Sequence, residues 1–267
     1  MKILLCDLDG TLLTSKKTIT PRVQKAVDLW QSKGNLFVIA TGRLISSAQL
    51  FADNSGTGDL VVACSGATIY KDNRLIYEKT VPLHLVERLW EILKPQEEYC
   101  QVYCDRSLVY NRDRGIFGSY VAHKDYDAKY RLPLIHMEDF DKEILPGPVH
   151  KLSFICHDPK RAKEIICQMG DLSEVNVFRS LPHLYDIIYK EADKGVAGLW
   201  LKDKLRAKEF YAIGDNENDV AMLEQAKISA VMKDAPRSVA KKADLTVSTS
   251  DKDGVAEFIT YLLDKDL

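Results

Sequence analysis

The 267-residue sequence lacks a surplus of charge of either sign. It has 37 lysines and arginines against 39 aspartates and glutamates, which gives a formal net charge of -2 at neutral pH. A protein that gathers nucleic acid or an anionic membrane through a basic field needs a positive surplus. The composition therefore argues against nucleic acid and membranes and favours a small molecule as the partner.

Long apolar runs and closely paired cysteines are also missing. No segment approaches the length of a membrane span, and Asp7 and Asp9 interrupt the apolar start of the chain too early for a secretory signal. The six cysteines form no Cys-x-x-Cys pair, and the nearest two, Cys100 and Cys104, have no second pair or nearby histidine. We therefore expect a cytoplasmic protein with reduced thiols and no cysteine-bound metal. We expect it to be a monomer or a weak homo-oligomer.

No internal repeat or low-complexity segment interrupts the chain, and its length suits two domains better than one. Met1–Cys6 is almost all apolar, and Leu36–Ala40 and Leu60–Cys64 are apolar throughout. Such runs predict strands that are buried on both faces. Helical patterns separate them, and the first has Thr20 as its N-cap and Pro21 at its first position. This alternation predicts an α/β fold with a doubly wound parallel sheet.

A second unit with a different texture interrupts this alternation. After a predicted hairpin whose turn is Lys71–Arg74, short strands and helices mix over residues 83–184. Strands and helices then alternate again, with a helix predicted from about Lys194. We therefore predict a core domain made of residues 1–82 and 185–267, with an α+β domain of residues 83–184 inserted into it.

Polar clusters follow the predicted parallel strands of the core, where ligands collect in doubly wound sheets. The clusters are Asp7-Leu8-Asp9, Thr41-Gly42-Arg43, Lys194, and Gly214-Asp215 with Asn218-Asp219. Several carboxylates in one crevice would repel one another, so they imply a cation, and oxygen ligands without histidine or cysteine favour Mg²⁺. Thr41, the Gly42 amide and Lys194 supply donors for phosphate oxygens. The pattern therefore indicates phosphoryl chemistry on a small phosphorylated substrate.

The spacing of the first two aspartates gives each a possible role. Asp7 and Asp9 lie two residues apart, and this spacing points side chains the same way along an extended segment. One carboxylate can attack phosphorus in line and form an acyl phosphate, which water can then cleave. The other can protonate the leaving group and later activate that water. Such chemistry explains why a buried strand would end in two charged residues.

The sequence resembles the haloacid dehalogenase-like phosphatases. The resemblance is carried by DLDGT at Asp7–Thr11, ATGR at Ala40–Arg43, DKG around Lys194 and GDNENDVAML at Gly214–Leu223. The order of these motifs, and the large insertion between the second and the third, resemble the Cof-type sugar phosphatase branch. The resemblance implies a Rossmann-like core, an inserted cap domain that closes over the substrate, and Mg²⁺-dependent hydrolysis of phosphomonoesters. Sugar phosphates are the implied substrates, and an aspartyl phosphate is the implied intermediate.

The resemblance also implies a role for each matching position. Asp7 would be the nucleophile and a Mg²⁺ ligand. Asp9 would be the general acid and base, and it would touch the metal through its carbonyl. The Leu8 backbone amide, Thr41 and Gly42 would hold the phosphoryl group.

Four further positions complete the implied site. Lys194 would act in catalysis and substrate binding by offsetting charge on both the nucleophile and the phosphoryl group. Asp215 would be a direct metal ligand. Asn218 and Asp219 would contact the phosphate and the waters on the metal.

Two segments depart from the family pattern. Ser65-Gly66-Ala67 stands where family members commonly carry Asn-Gly-Ala. Lys233-Asp234-Ala235 stands where they commonly carry Gly-Asn-Ala, and it introduces two charges near the expected rim of the site. The family resemblance therefore does not define which substrates this rim would favour.

Other polar and aromatic residues of the inserted unit have plain interpretations. Its histidines lack metal-ligand spacing, so we interpret them as surface or hydrogen-bonded residues. These histidines are His123, His136, His150 and His157. The side chains of Tyr99, Tyr103 and Tyr110 alternate as in a strand, which favours packing in a small core over a platform for stacking sugars.

Two other functions use similar residues. A phosphomutase forms the same aspartyl phosphate but returns the phosphoryl group to its substrate, so its product is an isomerised sugar phosphate. A receiver-like regulatory module also gathers Asp, Thr and Lys around Mg²⁺. Asp9 argues against such a module, because a protein that stays phosphorylated gains little from a built-in hydrolytic base. The inserted domain argues in the same direction.

Overall fold

The computed structural model describes residues 1–94, 99–112, 130–170 and 173–265. Within these ranges the chain forms fourteen strands and eight α-helices. The strands are β1 (Ile3–Cys6), β2 (Leu36–Ala40), β3 (Leu60–Ala63), β4 (Thr68–Lys71), β5 (Arg74–Glu78), β6 (Tyr99–Cys104), β7 (Ser107–Tyr110), β8 (Leu134–His136), β9 (Val149–Ile155), β10 (Val175–Leu181), β11 (Leu184–Tyr189), β12 (Phe210–Gly214), β13 (Ser229–Met232) and β14 (Leu245–Val247). The helices are α1 (Pro21–Ser32), α2 (Ile45–Ser55), α3 (Leu83–Leu93), α4 (Pro159–Gln168), α5 (Lys194–Lys204), α6 (Val220–Gln225), α7 (Arg237–Ala240) and α8 (Gly254–Asp264). None of these helices combines the length and the apolar character that crossing a membrane requires, as far as the described ranges extend.

The larger sheet has eight strands in the order β14-β13-β12-β1-β2-β3-β4-β5. Its first six strands run parallel, and β4 and β5 add an antiparallel hairpin at one edge. Asp72 and Asn73 form the turn of this hairpin with positive φ at both positions, as tight two-residue hairpin turns require. The predicted doubly wound parallel sheet is therefore confirmed, and the predicted hairpin forms part of it.

Side chains of β1 leave the large sheet alternately toward two layers of helices. Leu4 and Cys6 lie in an apolar cluster with residues of α1, α2 and α8. Ile3 and Leu5 lie in another cluster with residues of α5, α6 and α7. An unbroken apolar strand has no polar face, so it needs cover on both sides. With both faces covered, the polar loops at the carboxyl edge of the sheet are left to form a site.

Two predicted helices that border this edge are confirmed. In α1, Thr20 Oγ1 accepts a hydrogen bond from the Val23 amide at 3.2 Å, and Pro21 fills the first helical position. Helix α5 begins at Lys194, where the preceding Asp193 caps it by accepting a hydrogen bond from the Val196 amide at 2.8 Å. The cap of α5 therefore fixes the position at which Lys194 enters the site.

The second sheet has six strands in the order β10-β11-β9-β6-β7-β8. All neighbouring strands in it are antiparallel except β7 and β8. Helices α3 and α4 cover one face, where Val86 and Ile165 pack against Val102 and Leu152. Strand β11 continues to Tyr189 within this sheet. The mixed second unit agrees with the predicted fold class, while the division of the chain at residues 82 and 184 stays a prediction.

Candidate active site

The loop after β1 carries Asp7 and Asp9 at the carboxyl edge of the large sheet. Asp7 is 5% exposed, and its amide donates to the Ile213 carbonyl of β12 at 2.9 Å. Gly10 has a φ of +87°, and a Cβ at this position would lie 2.7 Å from Asp215 Oδ2. Glycine therefore allows both the backbone conformation of this loop and its close approach to Asp215.

Three carboxylates from two loops gather at this edge. Asp7, Asp215 and Asp219 each offer an oxygen within 4.8 Å of the other two. Thr11 Oγ1 donates to Asp215 Oδ1 at 2.8 Å and so holds that carboxylate in place. In the described part of the chain, this is the one group of acidic, histidine or cysteine side chains close enough to share a metal.

Lys194 inserts its ammonium between two of these carboxylates. Its Nζ lies 2.6 Å from Asp7 Oδ1 and 2.6 Å from Asp219 Oδ1, and the side chain is fully buried. A buried ammonium is stable only when it is paired and hydrogen-bonded. Lys194 therefore belongs to the carboxylate cluster, and it links Asp7 at the end of β1 to the loop after β12.

The charges in this cluster do not balance. Burial raises the pKa of Asp7 well above its ordinary value, and Asp219 and Asp215 add to this rise while Lys194 opposes it. Burial and the charge of Asp219 raise the pKa of Asp215 to about 7. Burial alone would lower the pKa of Lys194, but Asp219 and Asp7 outweigh that effect and raise it. One ammonium cannot offset three carboxylates, so this all-oxygen donor set fits an additional hard cation such as Mg²⁺.

Asp219 also organises the loop that carries Asp215. Its Oδ2 accepts hydrogen bonds from the backbone amides of Asp215 at 2.9 Å and Asn216 at 3.0 Å. Its Oδ1 accepts from Lys194, so both oxygens of this fully buried carboxylate are engaged. The position predicted to contact the metal through water therefore also shapes the loop around it.

Asp9 lies beyond the buried Leu8 and has different partners from Asp7. Arg43 donates to both of its oxygens, from Nε at 2.5 Å and from Nη2 at 2.6 Å. Lys17 adds a third bond, with Nζ 2.8 Å from Oδ1. Burial acts to raise the pKa of Asp9, but Arg43 and Lys17 outweigh it and hold the pKa below its ordinary value. The two aspartates of the DLDGT segment therefore sit in opposite electrostatic environments.

The predicted phosphoryl-binding positions lie together around Gly42. A Cβ on Gly42 would lie 3.2 Å from Ser65 Oγ and 3.7 Å from Asn218 Nδ2. The buried Thr41 accepts a hydrogen bond from the Arg43 amide at 3.2 Å through its Oγ1. Ser65 Oγ and Asn218 Oδ1 are buried, and they have no hydrogen-bond partner among the described residues. Because such groups are costly when unpaired, they fit a place where a ligand binds.

The two departures from the family pattern occupy different surroundings. Ser65 is buried beside Gly42, with a φ of +58°. Lys233 and Asp234 are exposed, but the charge of Asp234 still contributes to the raised pKa of Asp215. The first departure is therefore in the site itself, and the second acts on it from the rim.

A cavity of about 460 Å³ opens between the two sheets, with the carboxylates at its base. The core contributes Asp7, Asp9, Gly42, Asp215 and Asn218. The six-stranded second sheet, called the cap sheet from here on, contributes polar residues. Examples are Gln101, Tyr103, Lys151 and Asp186. Apolar walls come from Leu44, Leu108, Leu132, Ile155, Leu181 and Leu184. The size and the mixed lining suit a small molecule that has both polar and apolar parts.

Tyrosines of the cap sheet have different surroundings. Tyr99 is buried and its hydroxyl accepts from Gln101 Nε2 at 2.8 Å, which agrees with the packing interpretation. Tyr103 is half-buried and packs against a small apolar cluster that includes Leu108 and Ala192, and it also lines the cavity. It lies on the strand face opposite α3 and α4, and the alternation of strand side chains cannot tell which face is covered. Tyr110 stacks at an angle on His136.

The histidines of the inserted unit that the structure describes have no part in the carboxylate cluster. His150 is fully buried and bonds Glu78 through Nε2 at 2.7 Å, while His136 Nε2 lies 3.1 Å from the Asn111 carbonyl oxygen. His157 is exposed and packs on His183. The interpretation as surface or hydrogen-bonded residues is confirmed for these three, and His123 lies outside the described residues.

Sequence reasoning gave no role to four charged residues that line the cavity. They are Lys17 and Arg43, which bond Asp9, and Lys151 and Asp186, which bond each other. Lys17 carries no motif that could have identified it. The sequence around Lys151 does carry an indication: Lys151 and Ser153 alternate with the apolar Leu152 and Phe154 along β9. That pattern indicates a strand with one polar face, which in this protein lines the cavity.

The sequence matches the family model of haloacid dehalogenase-like hydrolases over residues 4–259. It is 28% identical to a putative phosphatase of Bacillus subtilis, YxeH, over 98% of this chain and 98% of that protein. It is 26% identical to another Bacillus subtilis protein, the 5-amino-6-(5-phospho-D-ribitylamino)uracil phosphatase YwtE, over 98% of each chain.

Solved structures share the fold. A haloacid dehalogenase-like hydrolase from B. subtilis superposes with a TM-score of 0.86 over 98% of this chain and 100% of that one, at 22% identity. A sugar phosphatase of haloacid dehalogenase subclass IIB superposes with a TM-score of 0.83, over 98% of this chain and 99% of that one, at 20% identity. At these identities the superpositions show a common architecture, including the second unit over the core.

Proposed function

We propose that this chain, which belongs to the haloacid dehalogenase-like hydrolase family, transfers the phosphoryl group of a small phosphomonoester to Asp7 and then to water. The resemblance found in the sequence is confirmed by the family model. That model and the aligned phosphatases extend over almost the whole chain, so the chain is a phosphoric monoester hydrolase. The metal, the aspartyl phosphate and the sugar-phosphate substrate are proposals.

One observation carries the mechanism. The buried ammonium of Lys194 lies between Asp219 and Asp7, and Asp7 lines the cavity together with Asp215 of the same cluster. A structural ion pair would need one carboxylate for one ammonium, and the two further carboxylates would destabilise it. A site that binds a cation and a phosphoryl group uses all of these charges.

The proposed metal is Mg²⁺. Asp7, Asp215, Asp219 and the carbonyl of Asp9 would hold it, directly or through water. Bound Mg²⁺ would neutralise the carboxylates and draw electron density from the phosphoryl oxygens. The match of all-oxygen donors to a hard cation supports this choice.

In the first proposed step, a carboxylate oxygen of Asp7 attacks phosphorus as the bond from phosphorus to the leaving oxygen breaks. Asp9 gives its proton to that oxygen, and the alcohol departs. Lys194, Thr41, the Leu8 amide and the Gly42 amide hold the phosphoryl group. In the second step, water attacks the phosphorus of the acyl phosphate, Asp9 takes the proton of that water, and inorganic phosphate leaves while Asp7 regains its carboxylate.

The partners of Asp9 bear on both steps. Arg43 and Lys17 favour its ionised form, which is the form that accepts a proton in the second step. The first step needs the protonated form. We propose that Arg43 exchanges its bond to Asp9 for an oxygen of the substrate, which lets the carboxyl group take up a proton.

The substrate is proposed to be a small phosphorylated metabolite. The cavity of about 460 Å³ has room for a phosphorylated sugar and more, and its apolar walls can cover a less polar part of a leaving group. Relatives support two kinds of compound for a first panel: sugar phosphates, from the sugar phosphatase fold, and a phosphorylated ribitylaminouracil.

The five buried, free cysteines support the proposed reducing, cytoplasmic setting.

Release of phosphate from p-nitrophenyl phosphate tests the proposal. We expect Mg²⁺-dependent turnover that Asp7→Asn reduces by about 1,000-fold or more, since the nucleophile is lost. Asp28→Asn, on the exposed side of α1, is the matched control and should keep wild-type activity. Turnover that survives in Asp7→Asn would rule out Asp7 as the nucleophile. In a parallel assay with a sugar phosphate as substrate, isomerised sugar phosphate without free phosphate would favour a phosphomutase instead.

A further inference from the structure

Lys151 of the cap sheet reaches across to the loop that is proposed to bind the phosphoryl group. It lies on β9, in the middle of the second sheet, and is 2% exposed. Its Nζ donates to the carbonyl oxygen of Gly42 at 2.8 Å. It lies outside the four motif segments, and the proposed mechanism gives it no role.

A set of cap residues holds this ammonium in place. Nζ donates to Asp186 Oδ2 at 2.9 Å, and Ser153 Oγ donates to Asp186 Oδ1 at 2.5 Å. Ser153 and Asp186 lie directly opposite each other on β9 and β11. The ring of Tyr103, opposite Lys151 on β6, has its centroid 4.2 Å from Nζ. Two hydrogen bonds and an aromatic face therefore surround the ammonium.

The pairing limits what Lys151 can do. Asp186 is 1% exposed, so the two buried charges cancel locally and do not form a free cationic site for a second anion. A buried ion pair contributes little net stability compared with apolar residues of similar size. Its geometry therefore points to a role in holding the Gly42 loop.

The hydrogen bond from Lys151 acts on the peptide unit between Gly42 and Arg43. The carbonyl of Gly42 is held by Lys151, and the amide at the other end of the same peptide unit, that of Arg43, donates to Thr41 Oγ1 at 3.2 Å. The Gly42 amide belongs to the preceding peptide unit, whose carbonyl, that of Thr41, accepts from the Ser65 amide at 2.9 Å. Glycine has no Cβ to restrict the torsions between the two units, so each unit needs its own contact. The Asp186 carboxylate lies beside this residue, since a Cβ on Gly42 would lie 3.7 Å from Oδ2.

We infer that Lys151 is a positioning residue: when the cap covers the core, it fixes the peptide unit between Gly42 and Arg43, and with it the Thr41 hydroxyl that the Arg43 amide holds, in the loop that binds the phosphoryl group. This inference rests on the proposed function of the Gly42 loop. The bond joins the two sheets, so it ties the arrangement of the phosphoryl-binding loop to the presence of the cap above it. A loop misplaced by a fraction of an ångström has a larger effect on the transition state than on substrate binding.

The test separates this role from support of the fold. Lys151→Met alone leaves Asp186 buried and unpaired, so both melting temperature and activity should fall. Lys151→Met with Asp186→Asn removes both charges, and its melting temperature should return toward that of the wild type. We expect kcat for p-nitrophenyl phosphate to stay about 10- to 100-fold below wild type in this double variant, with a smaller change in KM. Lys163→Met, exposed on α4 of the same unit, is the control and should match the wild type.

A second readout does not depend on turnover. Inorganic phosphate should bind the Mg²⁺-loaded double variant more weakly than the wild type in isothermal titration calorimetry, and the Lys163→Met control should bind it normally. If the double variant has wild-type kcat and wild-type phosphate affinity, Lys151 has no positioning role. Wild-type protein that binds phosphate but has no turnover would count against the proposed function, and the phosphate affinities would still decide the role of Lys151.

Discussion

Single residues in the site differ most in how their charge is compensated. Asp7, Asp215 and Asp219 share one ammonium, while Asp9 has a guanidinium and a second lysine to itself. The first three carboxyl groups are therefore short of positive charge and Asp9 is not. This difference fits the proposed roles, in which the three clustered carboxylates hold a cation and Asp9 transfers protons.

The raised pKa of Asp215 predicts a pH dependence for the metal-free protein. A carboxyl group whose pKa rises to about 7 on folding holds its proton more tightly in the folded state than in the unfolded one, where the pKa is about 4. Stability should therefore fall as pH increases between these two values. Mg²⁺ should reverse the loss, so the rise in melting temperature on adding Mg²⁺ should be larger at about pH 7.5 than at about pH 5.5.

Thermal denaturation at the two pH values, with and without Mg²⁺, measures this effect. Asp215→Asn removes this titrating group and should reduce both the pH dependence and the response to Mg²⁺, while Asp7, whose pKa is also raised, retains part of the pH dependence. A Mg²⁺ response that is the same at both pH values, or unchanged in Asp215→Asn, would contradict the assignment of Asp215 as a ligand.

Sequence reasoning identified the motif residues of the core but not all of their partners. Asp7, Lys194, Asp215 and Asp219 lie together as the strand-end argument predicts. The contacts of Lys17 and Lys151 depend on where a loop and a second sheet come to lie over the core, which no local pattern encodes. Burial of Lys194 likewise depends on packing, since a lysine at a helix start is ordinarily exposed.

At the scale of elements, the first residue of α5 is a site residue, and its position depends on how that helix begins. Asp193 caps α5 and so fixes the next residue, Lys194. Asp158 caps α4 in the same manner, accepting from the Lys160 amide at 2.9 Å, but α4 lies in the cap unit, outside the site. The two caps form a matched pair that differs in the first helical residue, which is the site residue Lys194 in α5 and Pro159 in α4.

Asp193→Ala should therefore cost both stability and activity, and Asp158→Ala should cost stability alone. Each substitution removes a cap worth about 1 kcal/mol. In Asp193→Ala the first turn of α5 loosens, so kcat should also fall, by about 10-fold, because Lys194 loses its fixed position. Chemical denaturation and steady-state kinetics of both variants measure this. Equal kcat values for the two variants would show that the α5 cap does not position Lys194.

The elements of the core were more predictable than those of the cap. Apolar runs buried on both faces, N-caps and the hairpin turn gave β1, β2, α1, α5 and the β4–β5 hairpin from local patterns. In the cap sheet, one face packs on helices and the other lines the cavity, and alternation alone does not say which face is which. The alternation of the tyrosines therefore did not predict that Tyr103 also lines the cavity.

In the whole molecule, the second sheet covers the site and contacts two loops of the core, the loop after β2 and the loop after β12. Lys151 bonds the Gly42 carbonyl, and Asn216 Nδ2 donates to the Ser180 carbonyl of β10 at 2.7 Å. The amide of Arg179 donates to Glu217 Oε2 at 3.1 Å. Substrate must therefore fit in the space between the sheets, and this arrangement disfavours large substrates.

A phosphorylated peptide should be a poor substrate for this reason. We expect its kcat/KM to lie at least about 100-fold below that of free phosphoserine, because a cavity of about 460 Å³ has little room for the backbone on either side of the phosphorylated residue. Phosphate release from a short phosphoserine peptide, with free phosphoserine as the control, measures the difference. Comparable values for the peptide and for free phosphoserine would show that the cap does not restrict access.

The central claim is that the phosphoryl group passes through Asp7. The direct measurement is to react the Asp9→Asn variant with radiolabelled p-nitrophenyl phosphate and Mg²⁺, quench in acid, and locate the label by peptide mapping. The p-nitrophenolate leaving group departs without a proton, so the first step does not depend on Asp9. Loss of the base that activates water should slow the second step, so the label should accumulate on the peptide that contains Asp7. Label on another peptide, or no label on protein that still releases phosphate, would contradict the account.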